Sequence, residues 1–118
     1  MFTLERNNSI YETLIKTCTT DHQKVYWKWF VALSEIPRPS YYCKPFAQWT
    51  LQQAEKLGLK AQIDKADNVC VHIPASKGYE TSPHIILQAH IDMVENVIDG
   101  KEFDFKTTPI TLLVDGNI

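Results

Sequence analysis

An imidazole and a carboxylate stand two residues apart in Gln88-Ala89-His90-Ile91-Asp92-Met93-Val94, the stretch of this chain best suited to chemistry. At positions i and i+2 of an extended chain both side chains lean to one side. A neutral imidazole can then offer one nitrogen to a metal ion while the carboxylate accepts the proton on the other, which fixes the tautomer and raises ligand basicity. The same two residues can also simply satisfy local backbone groups at a strand end, and spacing alone leaves both readings open. Position adds weight to the first. His90 and Asp92 follow Ile85-Ile86-Leu87-Gln88-Ala89, a nearly all-apolar run of the kind buried on both faces of a sheet, and ligands of open α/β sheets bind beyond the carboxyl ends of such strands.

Other reactive side chains read more plainly. Cys43 lies beside Tyr41 and Tyr42 with no histidine partner visible in sequence, so it is expected to be an idle thiol and not a nucleophile. Asp64, Asp67 and Asn68 are turn formers, because no glycine or distant glutamate completes a calcium loop around them. His72, His84 and Glu95 are the local residues that could supplement His90 at a metal. By alternation, however, His72 faces outward from its strand, and His84 begins the run whose far end carries His90, roughly 17 Å away.

The elements that must position these residues follow from periodicity and caps. Ser9-Ile10-Tyr11-Glu12 fits a capping box for a short helix, and Thr20-Asp21-His22-Gln23 fits a second, with His22 part of that helix start. Val25, Trp29, Leu33 and Ile36 then form one stripe of an amphipathic helix that ends near Ile36, before the stiff Pro37-Arg38-Pro39-Ser40 connection. Pro45 suits the first turn of a third helix, carried by Phe46, Ala47, Trp49, Leu51, Ala54 and Leu57 and closed by Gly58. Trp27, Trp29, Trp49, Phe30 and Phe46 read as core or as a covered flank before they read as a base-stacking surface.

Beyond Leu59 the period changes to two. Leu59, Ala61 and Ile63 alternate with Lys60 and Gln62, Asp67-Asn68 turns, and Val69, Val71 and Ile73 alternate with Cys70 and His72, which predicts a hairpin packed on one face. Ile85 to Ala89 is expected to be the central strand. After a loop with a turn at Asp99-Gly100, Ile110, Leu112 and Val114 alternate before Asp115-Gly116, a two-residue hairpin signal whose return strand would begin at Asn117 and Ile118. A finished domain rarely stops at such a turn, so the chain is expected to be incomplete.

Composition narrows the function classes. The 118 residues carry 12 Lys plus Arg against 14 Asp plus Glu, a net charge of -2, with 44% hydrophobic residues, as in one soluble globular domain. No basic run is present to draw nucleic acid or anionic lipid, and no apolar stretch approaches the roughly 20 residues of a membrane helix. The first ten residues lack the apolar centre of a secretory signal, and Cys18, Cys43 and Cys70 are widely spaced without a C-x-x-C pair. The expectation is a cytoplasmic protein with reduced thiols and neither a nucleic-acid nor a membrane partner.

Several separated motifs agree with one family. Ile36-Pro37-Arg38-Pro39-Ser40, the run from Ile85 to Val94, Asp104-Phe105-Lys106-Thr107-Thr108-Pro109-Ile110 and Asp115-Gly116 resemble, in order and spacing, the amino-terminal part of the aminoacylhistidine dipeptidases. Trp27-Lys28-Trp29-Phe30 and Asp67-Asn68-Val69 fit as well. These belong to the two-zinc peptidases that include carnosinases and peptidase T, and the resemblance covers residues 24 to 118. It implies an α/β fold, a zinc-peptidase-like mixed sheet with flanking helices, here incomplete. Residues 1–22 would be an extension with a short helix, and residues 23–118 the amino-terminal part of the catalytic domain.

By the same resemblance His90 matches the family's first metal ligand and Asp92 the catalytic-site acid that steers it. The implied cofactor is zinc, two ions in a complete site, and the implied substrate an Xaa-His dipeptide. The bridging aspartate, the general-base glutamate and the other ligands of that family lie further along a longer chain. The isolated chain is therefore expected to bind zinc weakly or not at all and to be inactive. Ala89 stands where the family has glycine, and Tyr41-Tyr42-Cys43 replaces a glycine and a polar pair. Those departures suit an alternative, a non-catalytic interaction module that pairs an open sheet edge with another chain.

Overall fold

The computed structural model describes residues 7–116, which form three α-helices and a two-stranded antiparallel sheet, a small mixed α/β arrangement. The described residues up to Pro37, with those from Val97 onward, make one compact unit, and Arg38–Asn96 make the other.

In the first unit, α1 (Asn8–Ile15) packs against α2 (Asp21–Ser34). The second expected capping box is present: Thr20 accepts from the Gln23 amide at 3.3 Å, and the Gln23 side chain accepts from the Thr20 amide at 3.0 Å. The first is not. Helix α1 begins one residue before Ser9, and its cap, Asn7, makes no side-chain bond to the helix because that side chain is committed elsewhere. Asn7 is buried, and its amide nitrogen donates to Ser34 Oγ at 3.1 Å and to the Ile110 carbonyl at 3.2 Å. Its oxygen accepts from the Leu112 amide at 3.3 Å, while its backbone N–H donates to Glu35 Oε1 at 2.9 Å. One buried amide therefore ties the start of α1, the end of α2 and the 110–112 segment together.

That stitching replaces an expected strand. Ile110, Leu112 and Val114 alternate as predicted but form no ladder, since the Ile110 amide bonds to the Ser34 carbonyl at 3.0 Å and Leu112 to Asn7. The return strand expected at Asn117 and Ile118 lies outside the described residues. On α2 the buried positions are Val31 and Ser34, whereas Val25 of the expected stripe is exposed and Tyr26, Trp27 and Phe30 form an edge-to-face cluster.

In the second unit α3 (Lys44–Lys56) covers the hairpin β1 (Lys60–Ile63) and β2 (Val69–His72). Pro45 sits in the first turn, and Phe46, Ala47, Trp49 and Ala54 are buried. Gly58, at φ 72°, closes the helix as anticipated: its amide bonds to the Glu55 carbonyl at 2.9 Å and the Leu59 amide to Ala54 at 3.0 Å, the paired bonds of a left-handed glycine stop. The hairpin register pairs Ala61 with Val71 and Ile63 with Val69, all half-buried, leaving Lys60, Gln62, Cys70 and His72 exposed. Its turn is organised by Asp64, whose carboxylate accepts from the Ala66 and Asn68 amides and from the Asn68 side chain at 2.8–2.9 Å.

The expected central strand is the main correction. Residues 84–90 form no ladder, and Ile85, Ile86 and Leu87 are 86%, 88% and 92% exposed. An apolar run of this kind becomes a doubly buried strand only between neighbouring strands and covering helices, and no described strand runs beside it.

Removing the Asn7 side chain with Asn7→Ala should leave its buried partners unsatisfied and lower unfolding free energy by about 1–3 kcal/mol, read by urea denaturation. Thr20→Ala should lower it by about 1 kcal/mol. Bonds first from the Asn68 side chain, then from the Asn68 and Ala66 amides, hold the Asp64 carboxyl below its ordinary range. With the folded value depressed, the stabilisation is present above the ordinary carboxylate value and is lost as pH falls through the lower folded one. Carbon-13 NMR should give Asp64 a midpoint below that of a free aspartate, and Asn68→Ala should raise it; an ordinary midpoint would contradict the turn.

Candidate functional site

The stiff Arg38-Pro39-Ser40 segment and the stretch after His90 meet along their backbones. The Met93 amide donates to the Arg38 carbonyl at 2.9 Å and the Ser40 amide to the Met93 carbonyl at 3.2 Å, an isolated parallel bridge between Pro39 and Met93. Proline has no amide to donate, and it needs none here, because the flanking Arg38 and Ser40 make both bonds. Beyond the bridge the chain turns. The Tyr42 amide returns to the Pro39 carbonyl at 2.9 Å, Tyr41 takes φ 64°, and α3 then begins at Lys44. Arg38 lies over the Phe46 ring, 4.8 Å from its centroid, so its cation rests on the buried helix face.

This bridge places Ser40 beside Asp92. The Ser40 hydroxyl donates to Asp92 Oδ2 at 2.6 Å, and Asp92 Oδ1 lies 2.9 Å from His90 Nδ1. Both carboxylate oxygens are therefore engaged. The Ser40 bond first, and then the His90 bond, hold the Asp92 carboxyl below the usual carboxylate range. A neutral ring that donates from Nδ1 to Oδ1 keeps its lone pair on Nε2, and the ring is 81% exposed while Asp92 is 35% exposed.

The two sequence-identified residues are thus in contact, and the imidazole stands in solvent. His72, His84 and Glu95, considered as supplementary ligands, do not join them: no group of three or more His, Cys, Asp or Glu side chains able to hold a metal occurs among the described residues. A catalytic zinc takes about three protein ligands. The described residues therefore fit one position of a metal site and not a complete one.

Sequence reasoning noticed Ser40 only as part of a motif. Its role depends on a contact across 52 residues, for which the chain offers no local signal beyond the two prolines. Cys43 lies close by, with its sulfur 3.7 Å from the Pro39 carbonyl oxygen. Burial first, and then the negative charges of Asp92 and Asp67, push its thiol up. That environment deactivates a nucleophile.

The chain is 32% identical over 90 residues, 76% of its length, to the cytosol non-specific dipeptidase of Escherichia coli (strain K12). It is related to dipeptidase-type peptidases. The chain spans 19% of that relative's length. No protein-family model matches it, and no solved structure does. No described helix is long and apolar enough to cross a membrane.

The raised Cys43 thiol predicts an order of alkylation. Under iodoacetamide at mildly alkaline pH, peptide mass spectrometry should find exposed Cys70 modified before Cys43. Faster labelling of Cys43 would show an activated thiol.

Proposed function

We propose that residues 23–118 form the amino-terminal, first-ligand-bearing part of the catalytic domain of a cytoplasmic metallodipeptidase of the aminoacylhistidine type, with a zinc-peptidase-like fold. In this reading residues 1–22 are an extension, and the substrate of the complete enzyme is a dipeptide ending in histidine. The observation that carries the proposal is the His90-Asp92 pair: an exposed ring whose Nδ1 is 2.9 Å from a carboxylate already anchored through its other oxygen. Relationship to dipeptidase-type peptidases supports it from a separate direction.

The roles of the residues follow from elementary chemistry. Asp92 accepts the Nδ1 proton, and this holds the neutral imidazole in one tautomer and one orientation with Nε2 available as a donor. His90 then supplies one nitrogen ligand. Zinc, when bound in a completed site, polarises the scissile carbonyl and lowers the pKa of water. The remaining ligands and the proton-accepting carboxylate belong, on this proposal, to the further length of polypeptide that the E. coli relative has and this sequence does not contain. Asp92, with one oxygen on Ser40 and the other on His90, is placed to orient a ligand.

A second reading, a non-catalytic module derived from the peptidase fold, is favoured by the consecutive exposed side chains Ile85, Ile86 and Leu87. An extended apolar segment with free backbone groups can add to the edge of another chain's sheet. Native mass spectrometry from the source cells separates the two. A 13.6 kDa species held in a complex supports the module, and a much longer polypeptide with this beginning supports the dipeptidase.

Activity gives the direct test. A chimera in which the matching 90-residue stretch of the E. coli enzyme is replaced by that of this chain should hydrolyse Xaa-His dipeptides in a zinc-dependent manner. His90→Ala, which would remove a direct ligand, should reduce its rate by about 100-fold or more, at or beyond the top of the range typical of losing an outer-shell partner. The 118-residue chain alone should show no hydrolysis above its own His90→Ala control. A chimera indifferent to His90→Ala would overturn the assignment.

A further inference from the structure

We propose that Ser40 is a positioning residue for the metal-ligand histidine: its hydroxyl fixes the plane of the Asp92 carboxylate, and that carboxylate in turn fixes the tautomer and direction of His90. The inference rests on the dipeptidase reading for its functional meaning, and on the contacts of Ser40, Asp92 and His90 for its physical content.

An aspartate carboxylate turns easily about its last torsion, because that torsion joins sp³ and sp² carbons and has broad wells. A single bond to an exposed imidazole leaves that rotation open. A second bond, from Ser40 to Oδ2 at 2.6 Å, pins the plane at two points and leaves Oδ1 aimed at His90 Nδ1. It also holds Oδ2 on a donor, so a swing of the carboxylate towards a metal would have to break that bond. Serine suits the task since its hydroxyl donates, which a carboxylate or carbonyl in the same place would not.

The backbone makes the arrangement separable from general stability. The two bonds of the Pro39–Met93 bridge use only main-chain atoms, so the segment carrying Ser40 is held beside Asp92 whether or not the hydroxyl is present. Removing the hydroxyl should release the carboxylate without releasing the segment.

The test reads the histidine and not activity. Nitrogen-15 spectra of the imidazoles are recorded on the 118-residue chain without metal at mildly alkaline pH. His90 is assigned by its loss in His90→Gln. In the native chain His90 should show the Nδ1-protonated pattern, distinct from exposed His22, His72 and His84. Ser40→Ala should move the His90 shifts towards those three, while exchange protection of the Met93 amide persists. Ser40→Thr, which keeps the hydroxyl, should retain the native pattern. His90 shifts unchanged in Ser40→Ala would overturn the proposal. If Ser40→Ala also loses Met93 protection, Ser40→Thr decides: native His90 shifts uphold the proposal, and Ala-like shifts overturn it. Shifted His90 signals with an inactive chimera would locate the failure in the dipeptidase reading, and unmoved signals with an active chimera would locate it in Ser40.

Discussion

One carboxylate divided between two donors is the constraint on which the site depends. Asp92 gives one oxygen to Ser40, across the backbone bridge that brings residues 38–40 against residues 92–93, and the other to His90, two residues before it in the chain. Charge follows from this geometry. Two bonds, from Ser40 first and then from His90, hold the Asp92 carboxyl below the usual carboxylate range, and an acceptor on Nδ1 leaves Nε2 of a neutral ring facing solvent. Burial first, and then the Asp92 charge and that of Asp67, push the neighbouring Cys43 thiol up, so the thiol that the sequence places nearest the site is deactivated as a nucleophile.

The support beneath this site is unequal. Helix α3 and the hairpin bury Phe46, Ala47, Trp49 and Ala54 and half-bury the inward residues of both strands, a self-sufficient packing of one helix on one sheet face. The run that leads into His90 has no such cover. Apolar surface left in water forgoes about 25 cal/mol for each Å² that burial would remove, and Ile85, Ile86 and Leu87 present nearly their whole side chains. The segment that leads into His90 therefore has much to gain from covering strands or helices, which the larger sheet of the proposed dipeptidase domain would supply.

What could be read from the sequence was what is encoded locally. The Thr20-Gln23 capping box, Pro45 and Gly58 at the two ends of α3, and the alternation of Ala61, Ile63, Val69 and Val71 each depend on residues a few positions apart, and all are present, while the hairpin turn expected at Asp67-Asn68 falls at Lys65-Ala66, with the Asp67 amide on the Asp64 carbonyl. Ser9 misled because its cap pattern competes with Asn7, whose buried side chain bonds partners more than 100 residues away in Ile110 and Leu112. Ile85 to Ala89 misled for another reason: an apolar run records what a segment is suited to be buried in, and a ladder still needs strands beside it. At the site, His90 and Asp92 were legible because two residues separate them, whereas the part played by Ser40 was hidden by 52.

Direct observation of the metal tests the central claim, that His90 is a zinc ligand held by Asp92. A crystal structure of the zinc-loaded chimera should place His90 Nε2 about 2.0–2.1 Å from zinc, with Nδ1 still on Asp92. Zinc fully ligated with His90 outside its coordination sphere, or bound through Nδ1, would contradict it.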